Sequence, residues 1–138
     1  MIKYFVAGDY APETATDGSA GLDLFVNSLD SSRTTIGTGV HVEIPKGWVG
    51  LLLPRSSWGI KGLSLANTVG VIDSDYRGEI KIVRDIHPHK GHLTINKGDK
   101  VAQLVVVRCD TAAQQVNSLE DLTVTQRGDG GFGSTGGA

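Results

Sequence analysis

The stretch Gly39-Val40-His41-Val42-Glu43-Ile44-Pro45-Lys46-Gly47 decides the fold class. Val40, Val42 and Ile44 alternate with Gly39, His41 and Glu43, so every second side chain points to one face, as in a half-buried strand. Pro45-Lys46-Gly47 then supplies the turn. The same alternation recurs at Ile80 and Ile82, set between Glu79, Lys81 and Val83. It recurs again at Leu93 and Ile95, set against His92 and Thr94 and followed by Asn96-Lys97-Gly98-Asp99. Residues 101–107 are β-branched and nearly all apolar, which predicts a strand buried on both faces. Further strands are predicted near residues 4–6, 20–26, 48–53, 63–65 and 70–72. Helical spacing is confined to residues 57–61 and 112–116, neither long enough to form a layer. Short strands broken by glycine turns predict an all-β sandwich or barrel of jelly-roll type.

Outward from that pattern, 138 residues suffice for one ordinary domain with its own core. Thirteen basic against fifteen acidic side chains give a formal charge of −2, which provides no electrostatic reason to coat nucleic acid or an anionic membrane. No apolar run approaches a transmembrane span, and residues 1–9 lack the basic-then-apolar layout of a signal peptide. A single cysteine, Cys109, excludes an intrachain disulfide framework and suits a reducing, cytoplasmic setting. Six of the twelve residues from 127 to 138 are glycine, with Phe132 their only large apolar side chain. The reading is therefore a folded unit over residues 1–126 and a flexible arm over 127–138, mobile until a ligand organises it.

Four polar clusters interrupt the strand pattern where a core does not need them. Asp23 stands between Leu22 and Leu24; taken alone it could be a solvent-facing carboxylate or part of a site. Pro54-Arg55-Ser56-Ser57 follows an apolar run, offering a guanidinium and two hydroxyls at a possible helix start. That set suits an oxyanion cradle, and equally a helix cap beside a surface arginine. Residues 70–79 place Asp73, Asp75 and Glu79 around a turn, where they could bind a divalent ion, supply a general base or merely solvate the tip. Arg127-Gly128-Asp129-Gly130-Gly131-Phe132-Gly133-Ser134-Thr135-Gly136 frees backbone amides to converge on an anion, although it is not a Walker loop. His87, His89 and His92 invite a metal reading that no cysteine and few carboxylates support.

In this order the clusters resemble the five motifs of the homotrimeric deoxyuridine triphosphatase (dUTPase) family. Residues 20–24 are similar to motif one and 54–57 to motif two. Asn67 with residues 70–79 is similar to motif three, residues 98–104 to motif four, and residues 127–136 to motif five. One departure stands in motif two, where Ser57-Trp58 replaces the family's usual Gly-Leu. The Arg-Ser-Ser string is also similar to the deoxycytidine triphosphate deaminases, which share the fold. Their catalytic glutamate, ten positions beyond the aspartate of motif three, is here Val83. A third reading is a non-catalytic dUTP-sensing or signalling module, which an intact Asp73, Tyr76 and lid sequence oppose.

The resemblance implies a distorted, jelly-roll-like β-barrel that hydrolyses dUTP to dUMP and pyrophosphate with Mg²⁺. It implies that Asp73 activates the attacking water, and that Asn67 with the backbone of Val71, Ile72 and Asp73 reads the uracil edge. Tyr76 would pack under the deoxyribose, with Lys81 close by. Arg55, Ser56, Ser57 and Gln103 would hold the α- and β-phosphates, and Asp23 would meet Mg²⁺ through its water ligands. Arg127, Gly133, Ser134 and Thr135 would close on the γ-phosphate with Phe132 over the base. The resemblance implies a homotrimer whose active sites are shared between subunits.

Overall fold

A computed structural model describes residues 1–86, 93–133 and 136. Nine strands in three antiparallel sheets, and one short helix, carry the described chain. They are β1 (Lys3–Val6), β2 (Leu22–Phe25), β3 (Ser28–Leu29), β4 (Thr35–Gly37), β5 (Val40–Glu43), β6 (Trp48–Pro54), α1 (Ser56–Ile60), β7 (Gly70–Ile72), β8 (Lys81–Val83) and β9 (Lys100–Arg108). The sheets run β2-β9-β6-β7, β3-β4-β8 and β1-β5. The all-β expectation holds, and the architecture is jelly-roll-like.

Alternation does its expected work in β5. Val40 and Val42 are buried with Ile44 just beyond the strand, while His41 and Glu43 turn outward. These side chains join Leu24, Val26, Ile36, Leu52, Ile80, Ile82, Val101 and Leu104 in one core. Each fully buried leucine or isoleucine contributes about 1.5–3 kcal/mol relative to an exposed one. Backbone bonds outside the ladders tie the sheets together: Ile80 N–H donates to the Val40 carbonyl at 2.8 Å, and Thr38 N–H to that of Ile80 at 3.2 Å. The Thr38 hydroxyl, fully buried, donates to the same Ile80 oxygen at 2.7 Å.

Several expectations require correction. Residues 93–95 are not a strand, although Ile95 is buried; arginine side chains serve its backbone instead. Arg84 Nη2 donates to the Leu93 carbonyl at 3.3 Å, and Arg33 Nη2 donates to that of Ile95. Residues 63–65 contribute a single bridge, Leu65 to Arg84, rather than a strand. Residues 112–116 are not helical: the Asp110 carboxylate accepts the Ala112 N–H at 2.9 Å, an Asx turn that competes with helix initiation. β9 is buried through Leu104 but opens toward its end, where Val107 and Arg108 are exposed. β3 and β4 were not foreseen. The helical reading at 57–61 holds as α1, one residue earlier.

The charged stretch 70–79 joins β7 to β8 without pairing them. β7 is bonded to β6, with Val71 opposite Leu51, whereas β8 is bonded to β4, with Ile82 opposite Ile36. The turn therefore arches from one sheet to another. No helix among the described residues is long and apolar enough to cross a membrane.

Candidate active site

Asp23 is fixed from both sides of its strand. β2 pairs it with Gln103 of β9, and Glu13 exchanges two backbone hydrogen bonds with it, at 2.7 and 3.1 Å. Its nearly buried carboxylate, a side chain 9% exposed, lies 3.3 Å from Arg55 Nε. Arg55 follows β6 directly, where extended backbone at φ −69° and ψ 148° turns the chain into α1. Its Nη1 donates to the Lys100 carbonyl at 3.2 Å, and its N–H to that of Val101 at 2.9 Å. Two of the three guanidinium nitrogens are thus engaged, leaving Nη2 for a ligand.

Gln103 completes this cradle. It lies opposite Asp23 on one side and Leu53 on the other. A Cβ on Gly21 would come within 3.1 Å of Gln103 Oε1, Cβ and Cδ, so glycine there admits the glutamine side chain. Asp23, Arg55, Ser56 and Gln103 line a cavity of about 250 Å³ with Ser19, Ala20 and Gly21. Ser57, the next residue of α1, is exposed but outside that lining. Ser57-Trp58 does not disturb the helix start: Trp58 N–H and Gly59 N–H both donate to the Arg55 carbonyl. Trp58 packs partly against the core beneath the Lys61 ammonium, 4.4 Å from its ring.

Asn67, Val71, Ile72 and Lys81 meet in a second cavity of about 410 Å³, with Gly70 and Val83 beside them. Asn67 heads a tight turn in which Val69 N–H donates to the Asn67 carbonyl at 2.7 Å around Thr68, whose φ is 68°. A threonine in the left-handed region is strained, and such strain gathers where a side chain must be aimed. Asp73 and Tyr76 lie past the cavity on the arch, joined by the Tyr76 N–H to Asp73 carbonyl bond at 3.1 Å. Arg77 staples the turn, its Nη1 donating to the Ser74 carbonyl at 2.7 Å and the Tyr76 carbonyl at 3.1 Å. The Tyr76 hydroxyl donates to the Glu79 carbonyl at 2.9 Å, and the Glu79 carboxylate accepts the Gly39 N–H at 2.9 Å. Glu79 is accordingly a tie between the arch and the β4–β5 turn. Neither the arginine staple nor this tie was foreseen; the acidic cluster in the sequence was the one signal for the latter.

The two cavities have no lining residue in common, and no described residue of the arm lines either one. Within the arm Arg127 Nε donates to the Gly130 carbonyl at 2.6 Å, while Phe132 is wholly exposed at φ 52°. Between Asp110 and Asp129 every residue except Val116 is exposed, including Leu119, Leu122 and Val124. Ser134 and Thr135 lie outside the described residues, as do His87, His89 and His92.

Comparisons with known proteins meet this geometry. A family model described as dUTPase matches residues 10–136. Deoxyuridine 5'-triphosphate nucleotidohydrolase of Corynebacterium jeikeium (strain K411) is 42% identical over 134 residues, covering 91% of this chain and 84% of its own. The protein of that name from Hydrogenobaculum sp. (strain Y04AAS1) is 40% identical, covering 91% and 89%. Among solved structures, a variant of the Staphylococcus bacteriophage 80alpha dUTPase with dUpNHpp superposes at a TM-score of 0.80, with 28% identity over 99% of this chain and 98% of its own. A variant dUTPase from phage phi11 of S. aureus, described as revealing the coordination of a structural Mg(II) ion, superposes at 0.69 with 29% identity over 87% and 99%.

Proposed function

The chain belongs to the dUTPase family, and on that premise we propose that it hydrolyses dUTP to dUMP and pyrophosphate by water attack on the α-phosphorus. The observation that carries the reading is the cavity in which Asp23 orients Arg55 beside Ser56 and Gln103, on the same fold as the motif-three arch. Arg55 Nη2, the Ser56 and Ser57 hydroxyls and the Gln103 amide hold the α- and β-phosphates. Asn67 and the backbone of Val71, Ile72 and Asp73 read the uracil edge in the second cavity, with Lys81 at its rim. Rejection of cytosine follows from unpaired polar groups, which can discriminate by up to about 10⁴-fold. Tyr76 packs under the deoxyribose.

Asp73 is an exposed carboxylate on the arch, open to a water molecule whose proton it can take. It accepts the proton as the water oxygen attacks phosphorus and pyrophosphate departs. Among the described residues no group of three His, Cys, Asp or Glu side chains could hold a metal, and Asp23 is the one carboxylate in the cradle. That donor set fits Mg²⁺ carried by phosphate oxygens and water, with Asp23 receiving hydrogen bonds from its water ligands. When bound, the ion neutralises charge on the triphosphate.

Separate cavities and an almost fully exposed segment from Asp110 to Asp129 support a homotrimer with sites shared between subunits. In that assembly residues 1–126 form the barrel and 127–138 the flexible lid. The lid brings Arg127, Gly133, Ser134 and Thr135 to the γ-phosphate and Phe132 over uracil, where stacking is worth about 1–3 kcal/mol. Closure excludes bulk water and aligns the phosphates. One cysteine and a nucleotide substrate support a cytoplasmic setting. Incubation with each deoxynucleoside triphosphate tests the reading: dUMP and pyrophosphate from dUTP support it, whereas dUTP from dCTP would replace it with deamination.

A further inference from the structure

Gly78 is a glycine that its own backbone does not require. Its φ lies outside the left-handed region, so alanine could adopt the same conformation. What occupies the space of the missing side chain is Tyr76. A Cβ on Gly78 would stand no farther than 2.8 Å from the Tyr76 hydroxyl oxygen, Cζ and Cε1, separations that carbon atoms do not tolerate. The outer end of the ring thus fills the place beside the Gly78 main chain, its hydroxyl donating to the Glu79 carbonyl at 2.9 Å. Glu79 is itself fixed to Gly39. Tyr76 as a whole is 43% exposed.

We propose that Gly78 is a positioning residue that sets the height of the Tyr76 ring and thereby the discrimination between deoxyribose and ribose substrates. The inference rests on the reading of Tyr76 as the surface under the sugar. A methyl group at position 78 pushes the phenol off the main chain of the arch and breaks its bond to the Glu79 carbonyl. Because the displaced atoms are the far end of a side chain facing solvent, the barrel keeps its fold while the ring loses its fixed place. A ring held against the main chain leaves no room for a 2′-hydroxyl; a ring released from it no longer excludes one.

The test is a double-mutant cycle on Gly78→Ala and Tyr76→Ala, reading kcat/KM for dUTP and for UTP together with the thermal transition of each variant. Gly78→Ala should lower the dUTP-to-UTP ratio by about tenfold or more, the scale of one misplaced group in a close-fitting pocket. In the Tyr76→Ala background the same substitution should change the ratio less than twofold, since no ring remains to displace. A Gly78→Ala ratio equal to the wild type, or an equal fall in both backgrounds, overturns the inference. If Gly78→Ala alone does not fold, the double variant decides: a folded double variant supports the clash with the ring, and an unfolded one refutes it. A wild-type protein that does not prefer dUTP to UTP, or a Tyr76→Ala variant with an unchanged ratio, refutes instead the reading of Tyr76.

Discussion

Arg55 Nε lies 3.3 Å from Asp23 Oδ1, Asp23 standing on β2 and Arg55 directly past the end of β6, the two strands that flank β9. Thirty-two positions of sequence separate them, yet β9, running between their strands, sets Asp23 opposite Gln103 and gives Arg55 the Lys100 carbonyl. The pair therefore has a role in the cradle before any ligand arrives: it points the guanidinium.

Asp23→Asn keeps the shape of the side chain and removes its charge. The variant should raise KM for dUTP more than it lowers kcat, because Arg55 loses its aim rather than the reaction its base. Asp23→Ala should in addition lower stability in denaturant titration, because it leaves the half-buried Arg55 guanidinium without its ion-pair partner. Unchanged KM in Asp23→Asn would remove the positioning role.

Sites shared between subunits, as proposed above, would permit complementation. A chain carrying Asp73→Asn, mixed with one truncated after Gln126, should recover part of the wild-type dUTPase rate once subunits exchange. In a fraction of mixed trimers the two lesions fall in different sites. Inactivity at every ratio, with exchange verified by mass spectrometry, would assign each site to one chain.

The lid should respond to the γ-phosphate. A non-hydrolysable dUTP analogue with Mg²⁺ should protect residues 127–136 from amide exchange, and dUMP should protect them much less. Phe132→Ala should weaken that protection without moving the thermal transition, since the exposed ring supports no core. Equal protection in free protein and both complexes would make the arm structural.

Acid sensitivity has one source remote from the site. Asp30 accepts the Ser32 hydroxyl at 2.7 Å and the Thr34 and Thr35 N–H groups at 2.8 and 3.1 Å. The Ser32 hydroxyl foremost, with these amides, holds its carboxyl below the usual range. A depressed pKa stabilises the fold above the unfolded value, and that stability disappears as pH falls below about 4. Asp30→Asn should therefore lower the melting temperature at pH 7 and differ less from wild type at pH 3. A constant gap across that range would contradict the linkage.

What could be read from the sequence follows from how local its signals are. Val40, Val42 and Ile44 announce their strand because alternation is visible within five residues. β3 and β4, of two and three residues, are too short to show a period. Leu93 and Ile95 alternate correctly, yet Arg84 and Arg33 take the place of a partner strand, and no pattern near residue 93 reveals that. The site followed the same rule. Gly21, Asp23, Arg55 and Gln103 were recognisable as motifs, whereas the Asp23–Arg55 pair and the arch between sheets depend on strand order. Gly78 was legible only as part of the motif-three stretch; the ring two residues before it folds back through a local turn that no periodicity announces.

Attack by Asp73-activated water on the α-phosphorus fixes where the water oxygen ends up, so oxygen labelling tests it. Hydrolysis of dUTP in ¹⁸O-water should place the label in dUMP and leave pyrophosphate unlabelled. Asp73→Asn should cut the rate of that labelling by at least about 10²-fold, the range for loss of a general base. Label in pyrophosphate, or an Asp73→Asn variant labelling dUMP at the wild-type rate, would contradict the account.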